Sequence, residues 1–141
     1  MTPYVQREIF RLFEQRVFAR AKVLVSCVDN HWGNELRCHE LARAVHQMLD
    51  MGCARVVDGA IGLVEHSWIE LTVPVAETER KRVGRGDSRR VILDVYCPGR
   101  LPQVQLIDSF GLLAPTYEER EPRTDIRTEI IEDLLGEMRR A

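Results

Sequence analysis

Three residue types in this chain, taken in order, could carry out nucleophilic chemistry together: Cys38, His66 and Asp94. Cys38 stands in Arg37-Cys38-His39-Glu40-Leu41, at the opening of an apolar-periodic segment that runs to Met51. A cysteine in the first turn of a helix faces backbone N–H groups and the positive end of the helix dipole, and both favour its thiolate. His66-Ser67-Trp68 lies on a strand-like run and Asp94-Val95-Tyr96 on another. The set supplies a nucleophile, a base and an orienting acid. Cys38 would attack an amide or ester carbonyl to give a thioacyl intermediate, and His66 would hold the thiolate and then protonate the leaving amine. Asp94 would fix the tautomer of His66, and the backbone N–H of Cys38 with a donor from the preceding loop would stabilise the oxyanion. Water as acceptor gives hydrolysis or deamidation; an amine gives transfer.

These motifs resemble the transglutaminase-like branch of the papain-like cysteine enzymes. In that group a helix-opening Cys is followed by a strand His, often as His-x-Trp, and then by a strand Asp; here the pattern covers about residues 34 to 97. The resemblance implies an α+β fold, with the Cys-bearing helix packed on an antiparallel sheet of about four strands and with N- and C-terminal covering helices. It implies a peptide or protein substrate and no cofactor. Two departures stand out. No Gln stands in the segment 26–37 before the Cys to complete the oxyanion hole, which leaves Asn34 or Trp32 as donor, against the plain reading of a capping Asn and a core-edge Trp. A charged excursion, residues 76–90, separates the His from the Asp. Family members can also lose catalysis and keep the fold, so a non-catalytic binding module is the alternative.

The elements that must position these groups follow from periodicity. Thr2-Pro3 reads as an N-cap with proline in the first turn, and Val5, Ile9, Leu12, Phe13, Val17 and Phe18 recur at helical spacing, predicting a covering helix over 3–24. The turn-rich Asp29-Asn30-His31-Trp32-Gly33-Asn34 delivers the chain to Cys38. Leu41, Val45, Met48 and Leu49 make the buried stripe of the second helix, with Gly52 as its C-cap. His39 and His46 on this helix read as solvated or hydrogen-bonded histidines.

Residues 54–60 read as a strand rich in β-branched residues, and Gly59 and Gly62 bracket the turn after it. Residues 65–73 alternate, with Ser67, Ile69, Leu71 and Val73 on one face and His66, Trp68, Glu70 and Thr72 on the other. The Trp68 indole can therefore flank and shield the His66 imidazole. Pro74 ends that strand, and the tract 76–90 reads as a solvated hairpin tip. Val91 to Tyr96 form a third strand, in which a buried Asp94 costs several kcal/mol unless paired, with His66 the obvious partner. Cys97-Pro98-Gly99 stops it. Gln103 to Asp108 form a fourth strand, residues 110–122 a loop, and a last helix opens at Thr124-Asp125 with Ile126, Ile130, Ile131, Leu134, Leu135 and Met138 at helical spacing.

Composition bounds the rest. The 141 residues read as a single domain, 1–141, with 45% hydrophobic and 30% charged residues. A net charge of −2 gives no expectation of nucleic acid. No apolar run approaches the roughly 20 residues that span a bilayer, and the start lacks a secretory-signal layout. The expected compartment is cytoplasmic, with no membrane partner. The four cysteines are irregularly spaced and form no CxxC, which favours reduced thiols and no metal centre. A metal site built from Cys38, His39, His66 and Cys97 is the third reading.

Overall fold

A computed structural model describes residues 3–74, 88–96, 102–108 and 116–140. Within them the chain is α+β, an antiparallel sheet of five strands with helices packed on it. Helix α1 spans Pro3–Ser26, a short 3₁₀ helix spans Asn30–Glu35, and α2 spans Cys38–Leu49. Strands β1 (Ala54–Ile61), β2 (Val64–Pro74), β3 (Ser88–Asp94), β4 (Gln105–Asp108) and β5 (Tyr117–Glu119) follow, and α3 (Thr128–Met138) ends the described chain. The strand order is β4-β3-β2-β1-β5.

Period-2 alternation divides the sheet into two faces. Ile69, Leu71, Val91 and Leu93 pack with Val17, Ala21 and Leu24 of α1, Leu41 and Val45 of α2, and Leu134 and Met138 of α3 in the main core. Trp68, Val57, Ile92, Ile107 and Tyr117 form a second, smaller cluster. β1 and β2 make a hairpin that pairs Gly59 with His66 and Val57 with Trp68. β2 and β3 pair from Ile69↔Leu93 to Pro74↔Ser88, the long hairpin expected from the need to partner Asp94. No helix among the described residues is long and apolar enough to cross a membrane.

Several expectations need correction. The sheet has five strands, not about four: Tyr117–Glu119, expected within a loop, pairs with Gly59–Ile61 at the edge. Three residues are too few to display alternation. Gly59 sits inside β1 rather than at a turn, because a Cβ there would meet the backbone oxygen of Glu118 and would lie 2.7 Å from Cη2 of Trp68. The turn proper is Gly62-Leu63, with Gly62 at φ 61°. α2 ends at Asp50, which takes the left-handed conformation (φ 49°) and donates its N–H to the His46 carbonyl at 3.2 Å, so Gly52 is not the cap. α3 opens at Thr128 rather than Thr124-Asp125, because the Asp125 carboxylate is bound to Arg123 and Arg37 instead of capping the helix. The excursion's tract 76–87, Cys97, the Cys97-Pro98-Gly99 stop and residues 110–115 lie outside the described residues; Ser88 to Arg90, expected in the excursion, belong to β3.

Candidate active site

The sequence places Cys38 as the first residue of α2, entered from an extended Arg37 (φ −113°, ψ 150°). Glu40 in the same turn accepts from Arg37 Nε at 2.7 Å and from Arg127 Nη2 at 2.8 Å. Arg37 also donates to the Asp125 carboxylate at 3.1 Å and to its carbonyl at 3.0 Å. The segment leading into α3 is thereby bound to the turn that carries the thiol. Glu40 has no exposed surface; burial works against its charge, but Arg37 and Arg127 hold its carboxyl down at about 2.

His66 and Asp94 meet as the sheet requires. Nε2 of His66 lies 2.8 Å from Oδ2 and 2.9 Å from Oδ1 of Asp94. Both side chains are buried, at 2% and 0% exposure, and Cys38 is 8% exposed. The Asp94 carboxylate accepts further hydrogen bonds from the Tyr117 hydroxyl at 2.6 Å and the Tyr96 backbone N–H at 3.1 Å. A buried carboxylate with three donors is satisfied where an unpaired one would be costly. With Nε2 committed to Asp94, Nδ1 is the ring nitrogen left for the thiol. Burial pushes the Cys38 thiol up, yet hydrogen bonds from His39 and His66 and the charge on His66 outweigh it and bring the thiol down to about 6. Burial likewise disfavours a charged His66, but Asp94 and Cys38 together raise it to about 9. Thiolate and imidazolium are mutually stabilising here, as an activated cysteine requires.

A second imidazole stands beside the thiol. His39, buried in the first turn of α2, places Nδ1 3.5 Å from Cys38 Sγ and 2.7 Å from the Ser67 hydroxyl. Ser67 donates to Asp58 Oδ1 at 2.6 Å. Asp58 is further bound by Arg43 Nη2 at 2.6 Å and the Arg123 backbone N–H at 3.0 Å. Burial opposes its charge, but Arg43, Ser67 and Arg123 hold the carboxyl below the usual range. His39 is thus hydrogen-bonded, as its helical position allows, but it adjoins the thiol, which periodicity does not disclose. His46 lies apart, with Nε2 3.0 Å from the Ala54 carbonyl oxygen.

Trp32 and Asn34, the candidate donors, and Trp68, expected to flank His66, fall in different places. Trp32 is buried, and its indole N–H is taken by Glu137, at 2.9 and 3.1 Å from the two carboxylate oxygens. Asn34 is exposed, in the 3₁₀ helix. Trp68 lies near His66, with ring centroids 6.3 Å apart and planes at 22°, and packs edge-on against Tyr117 at 5.1 Å. Its indole N–H is buried and has no hydrogen-bond partner among the described residues. A cavity of about 430 Å³ opens beside the pre-cysteine loop, lined by Val25, Asp29, Trp32, Leu36, Tyr96 and Pro102 among others.

The metal reading is described only in part, since Cys97 lies outside the described residues. Of its other ligands, His66 Nε2 faces Asp94 and His39 Nδ1 faces Ser67. The group of described residues whose ligand atoms could converge on an ion is a different one, Asp29, His31 and Glu137, with those atoms within 4.8 Å of one another. Tyr117, Ser67 and Asp58 complete the site's hydrogen bonds; the only signal for Ser67 and Asp58 was polarity on an expected strand, and Tyr117, expected in a loop, gave none. No protein-family model, curated protein or solved structure matches the chain.

Proposed function

We propose that the chain is a thiol-dependent amide hydrolase or acyltransferase of the transglutaminase-like kind, acting on a peptide or protein in the cytoplasm through a thioacyl intermediate. The observation that carries this reading is the Cys38 thiol at a helix N-terminus, lowered to about 6 beside a His66 whose other nitrogen is held by Asp94. The papain-like arrangement is part of the same proposal, supported by the Cys-bearing helix packed on an antiparallel sheet that carries the His and Asp.

In the first step the Cys38 thiolate bonds to the carbonyl carbon while the C–N bond breaks. The His66 imidazolium gives its proton to the departing amine nitrogen. In the second step water or an amine attacks the thioester carbon, neutral His66 takes the proton, and the C–S bond breaks to return the thiolate. The Cys38 backbone N–H stands at the helix terminus where an oxyanion would form, and of the two indole donors that of Trp68 has no partner among the described residues, whereas that of Trp32 is spent on Glu137.

The burial of all three side chains favours one second reading, a binding module in which Cys38, His66 and Asp94 are structural. A test follows from the thiol. Wild type and Cys38→Ser are offered a panel of fluorogenic peptidyl amides and glutamine peptides, with thioester capture by hydroxylamine. Turnover and hydroxamate formation by wild type alone support the enzyme. Absence of both, with unselective alkylation of Cys27, Cys38 and Cys53 by iodoacetamide, supports the module.

A further inference from the structure

Proton accounting along the second chain of polar groups gives His39 a defined role. Asp58 is an ionised carboxylate, held so by Arg43, Ser67 and Arg123, and can only accept. The Ser67 hydroxyl at 2.6 Å must therefore spend its single proton on Asp58. What Ser67 then offers the imidazole 2.7 Å away is a lone pair, so His39 must carry a proton on Nδ1. Nδ1 itself lies 3.5 Å from Cys38 Sγ, so its one proton is shared in a three-centre bond, the shorter branch to Ser67 and the longer to the sulfur. All three relay residues are buried, at 6% for His39, 0% for Ser67 and 7% for Asp58, so no water competes for the tautomer.

We propose that His39 is a second hydrogen-bond donor to the Cys38 thiolate, held in its Nδ1–H form by Ser67 and Asp58 acting as positioning residues. The two imidazoles divide the work. His66, turned by Asp94, exchanges the proton of the reaction, whereas His39 keeps its own and steadies the charge on sulfur in every thiolate stage of the cycle. The groups bearing on the thiol are then His39 from α2 and His66 from β2, backed by Asp58 of β1 with Arg43, and by Asp94 of β3 with Tyr117 of β5. The Arg37–Glu40–Arg127 cluster lies on the same helical turn. The proposal rests on the nucleophilic reading of Cys38.

The test is the rate of iodoacetamide alkylation at Cys38 across pH 5 to 9, read by peptide mass spectrometry, in the full chain and in His39→Phe, His39→Asn and Asp58→Asn. Asparagine places an amide N–H near the position of Nδ1–H, whereas phenylalanine keeps the ring and removes the donor. A donor bond to a charged sulfur predicts that His39→Phe slows alkylation at pH 6.5 by about ten-fold or more, with His39→Asn restoring most of it. Asp58→Asn lets the amide donate to Ser67, turns the Ser67 proton toward His39 and strips Nδ1, so it should slow Cys38 without touching it. A wild-type thiolate titrating near 6 with all three variants unchanged overturns the second donor and leaves the enzyme reading intact. An ordinary thiol profile in wild type overturns both. Should the variants not fold, nitrogen-15 NMR of the wild-type histidines decides alone: protonated Nδ1 on His39 is expected, and bare Nδ1 refutes the proposal.

Discussion

Replacing Asp94 by asparagine keeps shape and removes one acceptor from the centre of the site. The carboxylate accepts from His66 Nε2, Tyr117 and the Tyr96 backbone with no exposed surface. An asparagine must turn its oxygen to some of these donors and its amide group to the rest. With the oxygen kept on the Tyr96 N–H, the amide N–H groups face His66, which must then present a bare Nε2 and move its proton to Nδ1. Imidazolium is no longer supported, and burial, which already opposes it, prevails. The distance between an ordinary imidazole at 6.5 and His66 at about 9 corresponds to roughly 3 kcal/mol favouring the charged ring. Part of that comes from Cys38 rather than Asp94, so a loss of about 2 kcal/mol, or some thirty-fold in the ratio of ion pair to neutral pair, is expected. Because a thiol at about 6 is already some nine-tenths thiolate at pH 7, alkylation of Cys38 there, measured beside a thermal melt to confirm folding, should fall by about four-fold while Cys27 and Cys53 react as before. A folded Asp94→Asn chain whose Cys38 reacts at the wild-type rate would show that the carboxylate does not govern the thiol, and the site's electrostatic logic would fail with it.

Turnover should be bell-shaped, rising as Cys38 ionises near 6 and falling as His66 loses its proton near 9, whereas alkylation, which needs no leaving-group proton, should rise near 6 and not decline; two coincident profiles would contradict the assigned roles. For stability, the raised His66 contributes most below 6.5 and loses this as pH climbs through about 9, while the lowered Cys38 contributes most above 9.0 and loses this as pH falls through about 6. Between about 6.5 and 9 folded and unfolded pairs each hold one proton, so this pair should add no slope to a denaturant-midpoint series. Glu40→Gln should lower unfolding free energy at pH 7 by on the order of 3 kcal/mol, because a carboxyl held at about 2 instead of 4.5 stabilises above 4.5 and loses this as pH falls through about 2. Urea titrations at pH 7 and pH 3 would expose it, and equal midpoints for both chains at pH 7 would refute it. Trp32→Phe should cost about 1–3 kcal/mol by taking the indole donor from the buried Glu137 carboxylate, with Cys38 alkylation per folded molecule unchanged; a melt at the wild-type midpoint, or slowed alkylation, would refute it.

Cys38, His66 and Asp94 were legible for separate physical reasons that converge. A helix start is marked by the onset of 3.6-residue periodicity, so the cysteine's place at the dipole could be read directly. Strand alternation put His66 and Trp68 on one face, and the cost of a buried carboxylate demanded a partner for Asp94. The two-to-three strand hairpin followed from that demand. The relay of His39, Ser67 and Asp58 was not legible, because each of its bonds joins residues from different elements and none has a period. Ser67 reads merely as a small residue on the core face until Asp58 is set opposite it by the β1–β2 register. Thr124-Asp125 misled for a related reason. A good local cap was outbid by two arginines, one of them 88 positions away in sequence.

The bond from Arg127 to Glu40 spans 87 positions of the chain. A ribosome must therefore translate past residue 127 before the turn holding Cys38 receives its second arginine. Until then Glu40 has only Arg37, three residues before it, and the helix start is a local, fraying structure. Tyr117, which braces Asp94, also arrives late. The lowered Cys38 thiol thus depends on residues translated after it, His66 among them, and a nascent chain that has not reached them carries an ordinary cysteine.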